Sequence, residues 1–512
     1  MKIIKKLFIT LCIGGIALDS SCKLEEVPVS QATPETLFTT PSGLRDGVYG
    51  VYSKLRALYG SQVGFTLTTM GTDIFQHGKD GGYKFLDSYD NQTSSSVGYF
   101  AQLWYDCYQG INAANTILAY ADKAGIPESQ KIQYKAETRF LRAHFYYWLT
   151  VQFGDVVLAT TETKGVNTTA VRTSKEEVWK LMREDTQFAV DNLGWTADAY
   201  GKVTKGAALQ QLAIIMLMQK DYQKAADAAK TIIESGPYKL LDSYADIFRY
   251  DNQQNAEIIF AAQYTKDLLQ NGDGNQGHAF FTPAYDQFPG LQRDLNQGGR
   301  PYTRFRPTEF FRNLFNPNDS RFESTFRYVW TYNNAATLPK GKAIGDTVEW
   351  QISPGVTSKI APNTDNMHWA IKKHDDPTRA SVQDLAGFRD FFIYRLSETY
   401  LTAAEALLLA GKPAEGVVYL NKVRTRAAKP GTTMPMLSAG DLTMDQILDE
   451  RARELGGEEK RWMDLARTGT LVNRVKKYNP NSAAIKDMYL VRPIPQSQID
   501  LSTIKFPQNP GY

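Results

Sequence analysis

Histidine and cysteine are nearly absent from this chain. Its 512 residues include five His (His77, His144, His278, His368 and His374) and three Cys (Cys12, Cys22 and Cys107). No two of the histidines stand at metal-ligand spacing, so a zinc centre has no sequence support. A Walker loop, an HExxH helix and a GxSxG elbow are also missing. Nor is there an excess of charge of one sign. Lys and Arg number 58 against 55 Asp and Glu, and without residues 1–21 the balance is 55 against 54, so a nucleic-acid partner is not implied. The longest apolar run, Leu7 to Leu18, is too short for a membrane-spanning helix, which needs about 20 residues.

What is present starts at the N-terminus. Lys2, Lys5 and Lys6 precede that apolar run, and the small residues Ser20 and Ser21 precede Cys22. The pattern predicts a signal peptide over residues 1–21. A cysteine directly after small residues resembles the lipobox of bacterial lipoproteins, which implies a diacylated Cys22 as first mature residue and an anchor in outer-membrane lipid. Cys107 is then the one remaining thiol, so no internal disulfide forms, and its helical surroundings beside Trp104 and Tyr108 predict a buried, inert group. Residues 22–40 read as a polar tether, with Pro28 and Pro34.

Helical periodicity dominates the body. Ile132, Ala136, Phe140, Ala143, Tyr147 and Val151 recur at three- and four-residue steps over Glu128 to Phe153, with Gly154 as the stop. A second helix over Ser174 to Leu193 opens with Ser174 and Glu177 at capping-box spacing. Two distant segments match at an offset of 191 residues: Leu212 with Ala403, Ala213 with Ala404, Leu217 with Leu408, Ala226 with Val417 and Ala229 with Leu420. Each predicts a helix, a tight turn and a second helix, with small residues where the helices cross, as in tetratricopeptide hairpins; the regular 34-residue period of a solenoid is lacking. Between them, residues 251–388 are rich in Gly, Asn, Pro and aromatics, with strand-like runs only at Glu257 to Tyr264 and Phe326 to Tyr332. This reads as a loop-rich insertion on a helical scaffold of residues 41–250 and 389–475. Gly71 to Gly98 is a second loop-rich stretch. Loops on rigid scaffolds are where ligands bind.

Aromatic residues make up 12% of the chain, including 28 Tyr and 8 Trp, more than a core requires. Sugar binding asks for flat aromatic faces with polar side chains at the rim. Tyr83, Phe85 and Tyr89, with Asp73 and Asn91, are the candidates in the first loop stretch, and Trp350 and Trp369 in the insertion. The densest charge cluster, Asp449 to Asp464, could supply a glycosidase with two carboxylates. Its alternating signs instead predict ion pairs between Glu450 and Arg453, Arg451 and Glu454, and Arg461 and Asp464. The loop Asn271 to Gly277 offers oxygens that could suit a calcium ion, but Gln276 stands where an EF-hand needs Gly. No cofactor is expected beyond that one metal. His144, among apolar neighbours, reads as a core histidine.

Several of these stretches together resemble the SusD/RagB family: AETRFLRAHFYYWLTVQFGDVVL from Ala136, RLSETYLTAAEALLLAGKPAEGVVYLNKVRTRA from Arg395, ERARELGGEEKRWMDLARTG from Glu450, RPIPQSQID from Arg492 and QNPGY at the end. The resemblance implies a mainly α fold of about four tetratricopeptide-like hairpins in a right-handed superhelical scaffold, with a loop-rich irregular half and few short strands. It implies a non-enzymatic surface lipoprotein that captures glycans for a SusC-like TonB-dependent transporter. A peptide-binding RagB-like component of an importer is the first alternative, a glycoside hydrolase the second, and an intracellular adaptor is disfavoured by the export signal.

Overall fold

In a computed structural model of the chain, residues 33–80, 82–90 and 93–512 are described. The predicted signal peptide, Cys22 and Asn91 lie outside them. Half of the chain is helical and 8% is in strands, which makes the fold mainly α. Where the tether was expected to run to residue 40, Pro34–Leu37 forms a helical turn instead. Thr33 and Thr36 close a capping box there and Pro34 presets the first helical φ.

Some of the helices begin where a short polar side chain takes up a free backbone N–H group. The first long helices are α1 (Pro41–Ser53) and α2 (Gln62–Thr69), capped by Thr40 and Ser61. Next come α3 (Gly98–Tyr120), α4 (Glu128–Phe153), α5 (Lys175–Asn192), α6 (Lys205–Met218) and α7 (Tyr222–Ser235). Of the capping box expected at α5, the Ser174 half is formed, its Oγ accepting from Glu177 N at 3.4 Å. After the insertion come α8 (Leu396–Leu409), α9 (Pro413–Ala427), α10 (Met444–Leu455), α11 (Arg461–Arg467) and α12 (Leu471–Tyr478). Among the described residues no helix is long and apolar enough to cross a membrane.

Consecutive helices from α3 to α9 pack side by side, and α7 lies against α8 although residues 236–395 intervene. The superhelix therefore passes beneath the insertion without a break. Close crossings rest on small residues. Gly110 of α3 is one, since a Cβ there would meet the Phe145 ring of α4 at 2.5 Å. Ala207, Ala213, Ala225, Ala229, Ala403 and Ala404 are fully buried along the two matched hairpins. The 191-residue match extends into their turns. Asp221 N donates to Met216 O at 2.9 Å and Lys412 N to Leu407 O at 2.8 Å, while the equivalent residues Lys220 and Gly411 both take a left-handed φ, 61° and 77°.

The LRAHF segment of α4 owes its sequence to Arg142. Its guanidinium grips Asp185 of α5 through Nε at 2.7 Å and Nη2 at 2.8 Å, and Nη1 donates to Asn115 of α3 at 2.8 Å, so one buried side chain ties three helices. At the end of α4, Asn509 Nδ2 donates to Phe153 O at 2.9 Å, which brings the C-terminal QNPGY back to the scaffold.

The strands are few and short. β1 (Phe75–His77) pairs with β3 (Phe305–Pro307), joining the two loop-rich stretches, and β2 (Ile258–Ala262) pairs with β4 (Phe391–Arg395) where the insertion leaves and rejoins the scaffold. The strand-like run from Phe326 is reduced to Phe326–Arg327.

Between insertion and hairpins lies a buried ionic network. Glu454 of α10 meets Arg321 at 2.9 Å, Arg395 at 2.6 Å and also Arg426; Glu450 meets Arg453 at 2.6 Å, Arg321 at 2.8 Å and Arg424 at 2.8 Å; Glu458 meets Lys373 at 2.7 Å and Arg395 at 2.8 Å. Burial alone would raise the Glu450 and Glu458 carboxyls, but the surrounding cations outweigh it and hold both at about 2. Two expected local pairs are corrected here. Arg451 pairs with Asp464 at 2.7 Å and with Glu398, not with Glu454, and Arg461 pairs with Asp73, not with Asp464. Helix-neighbour spacing yields to long-range partners because these groups are buried, where every charge needs a close counter-charge. The Glu450–Arg453 pair stands as expected.

Candidate functional site

The first turns of α2 and α3, the end of α1 and the Gln270 to Gln276 loop enclose an open cleft of about 820 Å³. Its planar groups come from sequentially distant elements. Tyr83 and Tyr99 stack face to face, 3.8 Å between centroids and 19° apart in plane, both half-buried. Tyr264 lies on another wall, with the Arg56 guanidinium 5.6 Å from its ring centroid. Hydrogen-bonding groups surround these faces: Gln62, Gln102, Asp106, Gln270, Asp273 and Gln276.

Behind the tyrosine stack sits Arg304, just ahead of β3 and buried. It holds Asp80 through Nη2 at 2.6 Å and Nε at 2.8 Å, and its guanidinium lies over Phe280 at 4.8 Å and Tyr302 at 5.8 Å. Gln62, with its amide oxygen turned inward, accepts from Arg304 Nη1 at 2.9 Å and from the Tyr99 hydroxyl. Burial pushes the Tyr99 phenol up, so it stays a neutral donor. The result is a surface formed by the half-buried Tyr83 and Tyr99 rings, backed from inside by the buried Arg304 guanidinium and the fully buried Phe280. Such a surface can cover the apolar faces of sugar rings while the amides and carboxylates at its rim take hydroxyls.

The sequence candidates separate sharply. Tyr83 lines the cleft, and Phe85 packs beside it with ring centroids 5.9 Å apart. Four others are core residues, and their expected ligand role is corrected. Asp73 is fully buried, its Oδ1 bound by Arg461 Nε at 2.7 Å and its Oδ2 by Arg474 Nε at 2.8 Å. Tyr89 is buried at a left-handed φ of 52°, its hydroxyl donating to Gly71 O at 2.6 Å. Trp350 is wedged edge-on between Phe288 at 5.1 Å and Trp330 at 6.0 Å. Trp369 donates through Nε1 to Ala361 O at 3.0 Å beneath the Arg312 guanidinium. Trp350 and Trp369 fill the core of an insertion without helical packing, and Tyr89 fills that of the first loop-rich stretch.

Tyr99, Tyr264, Tyr302, Gln62 and Arg304 were not among the candidates. Tyr99 opens a helix, and a helix-start aromatic carries no mark of which side of the turn it faces. In the Asn271 to Gly277 loop the amides serve the backbone: Asn271 Oδ1 accepts from Thr265 N at 2.9 Å and Asn275 Nδ2 donates to Arg389 O at 2.9 Å. Asp273 is the loop's single carboxylate, a poor donor set for calcium. Among the described residues no group of three His, Cys, Asp or Glu side chains is placed to hold a metal. His144 is a satisfied core histidine, meeting Gln211 Oε1 at 2.7 Å and the Tyr59 hydroxyl at 2.8 Å. Cys107 is buried, which pushes its thiol up.

The acid–base pair that a glycosidase would draw from Glu450 and Glu458 is locked among cations inside the protein, away from the cleft. Fold and cleft together define a binding protein: an aromatic, amide-rimmed groove mounted on a helical-hairpin superhelix. Comparison with known proteins assigns it more closely. Residues 256–512 match the SusD family, and residues 24–217 match a family described as starch-binding associating with outer membrane. The chain belongs to the SusD family. It is 26% identical to SusD-like protein P25 of Formosa agariphila, over 94% of each chain, and 26% identical to the starch-binding protein SusD of Bacteroides thetaiotaomicron, over 76% of this chain and 74% of that one. Among solved structures it is similar to a laminarin-binding SusD-like protein (TM-score 0.74, 24% identity, 92% of this chain and all of the other). It is also similar to surface glycan-binding protein A of Bacteroides thetaiotaomicron in complex with laminarihexaose (TM-score 0.70, 21% identity, 92% and 99% covered).

Proposed function

We propose that this chain is a surface lipoprotein, anchored through acylated Cys22, that captures a glycan in the cleft beside Tyr83 and Tyr99 and delivers it to a SusC-like TonB-dependent transporter in the outer membrane. The observation that carries the reading is the stacked tyrosine pair, half-buried and backed by Arg304, at the edge of an open cleft with amides along its rim. Aromatic faces in such a setting recognise sugar rings, and the relatives named for starch, laminarin and glycan binding lend support. No catalysis and no cofactor is part of the proposal. The carboxylates that might have formed a hydrolytic pair are engaged elsewhere, which favours capture over cleavage.

Affinity electrophoresis of residues 23–512, which contain the whole described fold, through gels loaded with laminarin, starch and other neutral polysaccharides tests this. Retardation by at least one, with no release of reducing ends, is expected. Retention of peptides with no glycan binding would replace the reading by a peptide importer's binding component, and reducing-end release would make the protein an enzyme.

A further inference from the structure

A second cleft, of about 310 Å³, opens on the far side of Arg56, lined by Tyr49, Tyr200, Lys202 and Gln263. Ser53 and Arg56 line both this cleft and the larger one, so the two share a wall. Building on the glycan-binding reading above, we propose that the two clefts form one continuous groove, and that the ligand is a linear neutral glycan chain long enough to occupy both, with Tyr49 as the stacking surface of the distal part.

Arg56 is a fixed saddle between the clefts rather than a movable plug. Its Nε donates to Gln263 O at 2.7 Å, its Nη1 donates to Gln270 O, and its guanidinium lies over the Tyr264 ring. The carbonyls it grips belong one to each cleft, Gln263 on the distal side and Gln270 on the proximal side. A chain crossing Arg56 would meet a flat cation already held in place, with no ordering cost left for the side chain.

The distal cleft is built in the same manner as the proximal one. Tyr49 is 45% exposed, an unusual position for a large ring, yet it is held: the Lys202 ammonium sits 5.5 Å from its centroid, and Lys202 is itself paired with Asp198 at 2.9 Å. Tyr200 is anchored by its hydroxyl, which donates to Gln253 O at 3.0 Å, leaving its ring to line the cleft. Gly201, at φ 86°, is required there, because a Cβ would meet the Gln263 amide at 2.4 Å. The glycine thus lets the exposed Gln263 amide lie close against the backbone that follows Tyr200 in the cleft lining. Charges near the groove are of both signs, with Arg56 and Lys202 against Asp106, Asp198 and Asp273, which favours a neutral chain over a polyanion.

The test compares ligands of different length on variants of each cleft. The probes are laminarin, laminarihexaose and laminaribiose, or starch and the matching maltooligosaccharides if starch is the polysaccharide retained, measured by calorimetry with residues 23–512. Tyr83→Ala should weaken binding of every length at least tenfold. Tyr49→Ala, and independently the surface change Gln263→Ala, should weaken the polysaccharide and hexasaccharide about fivefold or more and leave the disaccharide within twofold. If both distal variants bind the polysaccharide as wild type while Tyr83→Ala does not, the groove ends at Arg56 and the extension is wrong although capture in the first cleft stands. If wild type binds none of these glycans, the functional reading fails and takes this one with it.

Discussion

Arg321 holds the insertion to the scaffold, and its replacement has a calculable effect. The side chain is fully buried and meets three carboxylates: Asp319 at 2.7 Å, Glu450 at 2.8 Å and Glu454 at 2.9 Å. In Arg321→Met the two glutamates keep other cations, Arg424 and Arg453 for Glu450, and Arg395 and Arg426 for Glu454. Asp319, also fully buried, has Arg321 as its ion-pair partner, so the variant leaves its carboxylate without that counter-charge. Removing one member of a buried pair costs about 3–5 kcal/mol, most of it the penalty of the stranded charge. For a chain of this length, whose unfolding entropy is about 1 kcal/mol/K, the melting temperature should fall by about 3–5 °C. Arg321→Met combined with Asp319→Leu removes the stranded charge and should recover at least half of the loss. Urea denaturation of wild type, both single variants and the double variant gives the cycle. A single Arg321→Met variant within 1 kcal/mol of wild type, or a double variant showing only additive losses, would refute the reasoning.

Other outcomes follow from the same structure. Lys220 adopts the left-handed conformation that Gly411 adopts in the matched turn, so Lys220→Gly should stabilise by about 0.5–1 kcal/mol and Gly411→Ala destabilise by a similar amount in urea titrations. Burial holds His144 and His374 down at about 4 and His278 and His368 at about 3, so each stays neutral while the unfolded chain protonates. Their stability contribution is complete at pH 7 and is lost as pH falls below about 6.5; Asp390, raised to about 6, and Glu459, also raised by burial, work in the opposite direction. Between pH 6 and 4.5, His368→Leu should lower the slope of unfolding free energy against pH by about 1.4 kcal/mol per unit relative to wild type, and an unchanged slope would show that His368 titrates in the folded protein.

Helices were legible in the sequence because their apolar residues must recur at 3.6-residue intervals to meet a neighbour, and Ile132 to Val151 do so in α4. The duplicated hairpins were legible because close helix crossings demand small residues at fixed positions, and Ala213 and Ala404 occupy equivalent ones. The insertion obeys no such period. Its core is made of aromatics packed edge to face, so Trp350 in the interior and Tyr302 near the surface look alike in sequence. The clearest failure was Asp73. An acidic residue in a polar loop suggests a ligand rim, but its partners Arg461 and Arg474 come from helices 388 and 401 residues away, and local pattern carries no trace of them. Tyr83 was found because it lies on a loop, whereas its stacking partner Tyr99 was missed because it begins a helix.

Affinity electrophoresis of the Tyr83→Ala/Tyr99→Ala double variant beside wild type, in gels containing laminarin or starch, tests the central claim most directly. Removing both stacked rings should abolish retardation while circular dichroism shows the helical fold intact. A folded double variant retarded as strongly as wild type would contradict the assignment of this cleft as the glycan site.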